Sequence, residues 1–187
     1  MLFEKTFIYQ QKNFLNKDIC ENLIKIYEKS EKNEGTISIN NNVIIDKKLK
    51  SCQEVNFNFE NNNSLIYIIK SSLGKTISEY EKKFPFVRQI RKYGLDSDFK
   101  IQKYNIGESY SKEHCENSGY NDRVLAWMIY LNDVKYGGQT VFPSQNKKFE
   151  PEIGKLLIWP SFFTHSHYGL PSKTEIKYIM TGWFKYI

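Results

Sequence analysis

The chain has 187 residues, 40% hydrophobic and 16% aromatic, which fits one compact domain with a substantial core. Met1 to Thr6 lack a basic start followed by an apolar signal core, and runs such as Leu65 to Ile69 are too short to span a bilayer, so a soluble cytoplasmic protein with no membrane partner is expected. The 27 basic against 21 acidic residues give +6, which permits nucleic acid as a partner, and the three scattered cysteines, Cys20, Cys52 and Cys115, exclude a disulfide framework or a C-x-x-C motif.

Near the N-terminus, Ile19, Leu23, Ile26 and Tyr27 share one face after Asn16, a candidate N-cap, and predict an amphipathic helix. An asparagine-rich stretch around Asn40 to Asn42 and Asn61 to Asn63, with Val43-Ile44-Ile45 between, predicts loops and short strands. The basic cluster Lys47 to Lys50 reads as solvated surface, as do Lys82-Lys83, Arg88 to Lys92 and Lys147-Lys148. From Ser64, a second helical stripe of Ile66, Ile69, Leu73, Ile77, Tyr80 and Phe84 runs until Pro85 stops it.

After about residue 98 the period changes. Phe99 to Lys103, Val124 to Leu131, Thr140 to Phe142, Leu156 to Trp159 and Lys177 to Phe184 are short β-rich segments separated by Gly, Pro, Asn and Asp. The fold class expected is mainly β with N-terminal helices (α+β), a two-sheet barrel or jelly roll with the helices against the outside of one sheet. No repeat or linker separates residues 1–98, helical support and first strands, from residues 99–187.

All three histidines, His114, His165 and His167, lie in the β-rich half. His114 and Glu116 are two apart, so on extended backbone they face one side and can share a metal ion while Cys115 points away. Two histidines and a carboxylate with open positions suit a non-haem Fe(II) oxygenase. Either His165 or His167, following the strand Leu156 to Trp159, can be the third ligand, and periodicity does not choose between them.

Over residues 99–187 the order of motifs resembles the 2-oxoglutarate and Fe(II)-dependent dioxygenases, prolyl 4-hydroxylase-like branch. Ile101 to Gly107, Tyr110 and His114-Cys115-Glu116 are similar to the family's Tyr, Gly, Tyr and H-x-D block. Arg123 to Val134 with Gly137-Gly138-Gln139-Thr140-Val141-Phe142-Pro143 resembles its arginine-led strand and Gly-Gly-x-Thr-x-Phe turn. Gly154 to Pro160, His167-Tyr168-Gly169-Leu170-Pro171 and Lys177 to Trp183 resemble its distal histidine, H-x-G-x-P, and the basic residue that follows.

The resemblance implies a double-stranded β-helix, one dioxygenase domain over residues 1–187, and a metal site of His114, Glu116 and His167 holding Fe(II). It selects His167 over His165. It also implies that Lys177 binds the far carboxylate of 2-oxoglutarate, with Tyr104, Tyr130 and Thr181 beside it, that O2 is the other co-substrate, and that ascorbate is a candidate accessory. Peptidyl proline or another peptide side chain is the implied substrate, with the loops Ser118 to Asp122 and Ser144 to Phe149 shaping the entrance. The rivals are oxidative demethylation of nucleic acid and a silent metal- or peptide-binding barrel; no oligomeric state is read from the sequence.

The chain departs from the family at Glu116, where aspartate is usual, and at Ala126, where threonine is common and a change of pocket polarity is expected. Gly137 and Gly138 are expected to supply positive φ in a turn. His165 reads as a loop histidine or a support for His167, and Trp127, Trp159 and Trp183 read as core.

Overall fold

The computed structural model describes residues 6–39, 42–60, 63–117, 119 and 121–187. Met1 to Lys5, Asn40, Asn41, Asn61, Asn62, Ser118 and Tyr120, which enter the readings of the leader, the asparagine loops and the entrance, lie outside the described residues. In chain order the elements are β1 (Tyr9–Gln11), α1 (Lys17–Lys29), β2 (Asn33–Glu34), β3 (Ile37–Ile39), β4 (Asn42–Ile44), β5 (Gln53–Asn58), α2 (Ser64–Lys83) and α3 (Val87–Ile90). Then come β6 (Tyr93–Tyr104), β7 (Arg123–Tyr130), β8 (Thr140–Phe142), β9 (Lys147–Phe149), β10 (Leu156–Pro160), β11 (Tyr168–Gly169) and β12 (Lys177–Tyr186).

α1 and α2 form where Asn16 and the two apolar stripes place them. Asn16 Oδ1 accepts from the Ile19 amide at 2.9 Å, satisfying one of the orphan donors of the first turn of α1. Asn63 caps α2 through the Leu65 amide, and Pro85 follows the end of α2 at the point predicted. No described helix is long and apolar enough to cross a membrane.

The main sheet has the order β1-β10-β7-β12-β6-β5-β2, and a smaller sheet, β11-β8-β9, packs over one of its faces. Along β7, Leu125, Trp127 and Ile129 enter the core beneath the helices, where Leu23, Tyr27, Ile69, Leu73 and Tyr80 meet them. The alternate residues Ala126, Met128 and Tyr130 face the second core, with Phe142, Leu157, Trp159 and Ile179. A strand covered on both sides reads as a continuous apolar run, which is the pattern of Val124 to Leu131.

The sheet is not confined to the second half of the chain. β5 pairs with β6 from Gln53↔Lys103 to Asn58↔Asp98, and β1 pairs with β10, so segments before residue 98 supply strands as well as helices. β6 itself begins at Tyr93, several residues before the apolar alternation that revealed it.

Candidate active site

The inner face of the sheet frames a cavity of about 540 Å³. Strand alternation aims Lys177, Ile179, Thr181 and Trp183 of β12 into it, beside Lys100, Gln102 and Tyr104 of β6. The register sets Lys177 opposite Tyr104 and Thr181 opposite Lys100. His114, Glu116 and His167 form another part of the same wall.

His114 and His167 are far apart in sequence but directly opposite in space. The His114 amide donates to the His167 carbonyl at 3.0 Å and the His167 amide to the His114 carbonyl at 2.8 Å. Residues so paired project to one face, which brings the rings to 4.4 Å between centroids. The Glu116 amide is fixed on the Ser161 carbonyl at 3.0 Å, in the turn after β10.

The imidazoles are oriented by main-chain oxygens. Nδ1 of His114 lies 2.8 Å from the Lys112 carbonyl, and Nδ1 of His167 lies 3.0 Å from the His165 carbonyl. A carbonyl only accepts, so each Nδ1 carries the proton and each Nε2 presents its lone pair to the site. Tyr110 stacks on His114 at 3.7 Å, while Phe142 and Trp159 enclose His167.

Glu116 Oε1 lies 3.6 Å from His114 Nε2 and 3.4 Å from His167 Nε2, and the donor atoms of all three residues fall within 4.8 Å of one another. Metal bonds of about 2.0 to 2.2 Å put neighbouring ligand atoms roughly 3 Å apart in an octahedron, so this trio fits one divalent ion after a small contraction. Burial raises the Glu116 carboxyl, but hydrogen bonds and charge from His114 and His167 in their protonated forms outweigh it and hold the group well below the usual carboxylate range, and a cation would take the place of those Nε2 protons. Burial, reinforced by His167, lowers His114, so both effects favour the deprotonated ligand forms a cation needs.

Lys177 is the other charged feature. It is 3% exposed, its ammonium lies 4.7 Å from the Tyr104 ring centroid, and it donates to the Gly138 carbonyl at 3.2 Å. Among the described residues no carboxylate pairs with it, and burial pushes its pKa down to about 8. Gly137 and Gly138, with φ of 83° and 75°, make the turn that presents this carbonyl.

Thr181 lines the cavity with its hydroxyl bonded to the Trp127 carbonyl at 3.0 Å, and the Tyr104 hydroxyl donates to Gln102 at 3.0 Å. Tyr130 is not placed on the cavity wall. Its hydroxyl bonds Thr140 at 2.7 Å and lies 3.2 Å from the Phe149 carbonyl, so it reaches the cavity through Thr140.

Several readings change. His165 is buried rather than in an exposed loop: its ring bonds Thr6 and Thr164, and its carbonyl, not its ring, orients His167. Ala126 lies opposite both Trp159 and Trp183 on the flanking strands and does not line the cavity, so its small size makes room for two indoles instead of altering pocket polarity. Of the expected entrance loops, Asn121 lines the cavity, whereas Ser144 to Phe149 form a 3₁₀ turn and β9 away from it. The β3-β4 hairpin contributes Ile37, Ser38 and Val43 instead.

Sequence reasoning also passed over Trp183 and Arg123, which hold Glu116, and over Lys50. Lys50 is buried in an ion pair with Glu54 at 2.9 Å, not solvated, and Lys100 closes on the same carboxylate at 2.7 Å. The four-residue spacing of Lys50 and Glu54 was the available signal, masked by the neighbouring basic residues.

The sequence profile of the 2OG-Fe(II) oxygenase superfamily matches residues 99–185, the stretch that carries every one of these wall residues from β6 to β12. Through this segment the chain is similar to that superfamily. A viral relative from Acanthamoeba polyphaga mimivirus, carrying a provisional prolyl 4-hydroxylase name, is 28% identical over 107 residues, 47% of this chain and 44% of its own. Prolyl 4-hydroxylase subunit alpha-1 of Gallus gallus is 24% identical over 102 residues, 51% of this chain and 20% of that protein. The chain thus spans less than half the length of these curated relatives.

Solved structures extend the likeness to nearly the whole oxygenase fold. The viral collagen prolyl hydroxylase of Paramecium Bursaria Chlorella virus-1, in its 2OG complex, superposes with a TM-score of 0.68 at 18% identity, covering 97% of each chain. A Trichoplax adhaerens prolyl hydroxylase, in complex with a hypoxia inducible factor peptide fragment, gives 0.72 at 17% identity over 96% of this chain and 84% of that one. The fold is therefore the double-stranded β-helix with supporting helices.

Proposed function

We propose that the chain is an Fe(II)- and 2-oxoglutarate-dependent hydroxylase acting on peptidyl proline or another peptide side chain. The observation that carries this reading is one cavity with a His-Glu-His cluster on its wall and a buried, carboxylate-free lysine in the same lining. His114, Glu116 and His167 would hold the iron, and Lys177 the far carboxylate of 2-oxoglutarate, with Tyr104 and Thr181 beside it and Tyr130 acting through Thr140. Residues 1–187 work as one dioxygenase domain in which residues 1–98 supply helical support and the first strands.

Three ligands from the protein leave positions free on an octahedral ion, as co-substrate chelation and oxygen chemistry require. When bound, Fe(II) and 2-oxoglutarate supply the activation of dioxygen, and the overall change is substrate C–H, 2-oxoglutarate and O2 to substrate C–OH, succinate and CO2. The protein's own part is orientation and exclusion of water. A buried ammonium without an anion is costly, so binding a dicarboxylate there is favoured by relief of that cost as well as by the ion pair itself.

The peptide reading is supported by the prolyl hydroxylase relatives and by the peptide bound in the Trichoplax adhaerens neighbour. It is tested with anaerobically iron-loaded protein, 2-oxoglutarate, ascorbate and a panel of proline-containing peptides exposed to oxygen. Mass spectrometry is expected to show one added oxygen on one peptide class, with succinate in step. Turnover of 2-oxoglutarate with nucleic acid oxidised and every peptide untouched would overturn it.

A further inference from the structure

Glutamate at position 116 has one more methylene than aspartate, so its carboxylate has more freedom to swing or to offer both oxygens to one ion. The structure removes that freedom. The Trp183 indole N–H donates to Glu116 Oε2 at 2.8 Å, and the Arg123 guanidinium lies 3.7 Å from the same oxygen. Arg123 also stacks on the Trp183 ring, 3.5 Å from its centroid, and donates to the Glu116 carbonyl at 3.3 Å. Oε1 is left turned toward the two histidines.

We propose that Trp183 and Arg123 are positioning residues that hold Glu116 as a one-oxygen ligand, offsetting the longer arm this chain carries. The inference rests on the metal-binding reading above. A carboxylate bound through both oxygens would occupy a further position on the ion, so the indole keeps that position open for the co-substrate. Partners of a ligand's second atom commonly alter metal affinity by roughly 10- to 100-fold.

The test uses Co(II), whose visible spectrum reports coordination number, titrated into the full chain with no turnover involved. Trp183→Phe is expected to weaken Co(II) binding roughly 10-fold or more and to shift the spectrum toward a higher-coordinate site. Arg123→Met should move both readouts in the same direction by less, and it carries the test if Trp183→Phe fails to fold, as judged by thermal unfolding without metal. In a Glu116→Asp background, where the carboxylate falls short of the indole, adding Trp183→Phe should change affinity less than about 3-fold. A folded Trp183→Phe protein with wild-type affinity and a superimposable spectrum overturns the positioning role alone, whereas wild type that binds no Co(II) overturns the metal site as well.

Discussion

At the scale of single residues, hydrogen-bond polarity assigns tasks that residue identity does not. The Glu54 carboxylate can only accept, so the Gln102 amide nitrogen turns to it at 3.0 Å and the Gln102 oxygen is left to receive the Tyr104 proton. Tyr104 therefore offers the cavity a lone pair and an aromatic face, while Lys177 is the donor. Lys177→Met is expected to weaken 2-oxoglutarate binding by roughly 100-fold and Tyr104→Phe by less than about 10-fold, measured by calorimetry with Mn(II) in place of iron. Equal losses would show that the tyrosine hydroxyl turns round to donate.

The same lysine makes a pH prediction. Its folded pKa of about 8 lies below the value near 10.4 expected in the unfolded chain. Below about pH 8 both states carry the proton and the full cost of burying the charge opposes folding; between the two values the unfolded state binds more protons, so stability rises with pH. Without co-substrate, Lys177→Met should be more stable than wild type at about pH 7, and the difference should shrink toward about pH 10 in denaturant unfolding. A difference that does not change with pH would place the ammonium in water.

At the scale of elements, the close fit of β12 against β7 sets a strict limit. A Cβ at Gly182 would lie 2.4 Å from Trp127 Cζ2, inside a core where Trp127 is fully buried. Gly182→Ala should destabilise the fold by about 1 to 3 kcal/mol, with a lowered denaturant midpoint and an unchanged slope. Retained stability would mean the indole has room to move.

The elements also explain which parts were readable in the sequence. α1 and α2 were legible because one face is apolar, with Asn16 marking the start of α1, and β7 and β10 because burial on both sides makes them apolar almost throughout. β5 was not, because one of its two buried residues is Glu54, whose burial depends on Lys50 and Lys100 arriving from other segments. His114 and Glu116 were legible as a local pair. Their meeting with His167 followed from the family resemblance, because the isolated bridge joining the two segments is a main-chain event with no signature in residue type. Trp183 read as core for the same reason: its carboxylate partner is 67 residues away.

At the scale of the whole molecule, the cavity concentrates unsatisfied electrostatics that bound ligands would balance. A metal ion against Glu116 and a dicarboxylate against Lys177 bind the folded state and not the unfolded one, so together they should stabilise it. Each ligand at about 100 times its dissociation constant contributes about 2.7 kcal/mol, and the melting temperature should rise with Mn(II) plus 2-oxoglutarate more than with either alone. His167→Ala should abolish the metal-dependent part, and an unchanged melting temperature in the wild type would argue against a ligand site in this cavity.

The most direct measurement is succinate formed from 2-oxoglutarate by anaerobically iron-loaded protein on exposure to oxygen, comparing wild type with His167→Ala and Lys177→Ala. Oxygen-dependent succinate in the wild type, lost in both variants and stimulated by a proline-containing peptide, is the predicted result. A wild type that retains no iron and releases no succinate would contradict the account and leave a barrel that shares the oxygenase fold without its chemistry.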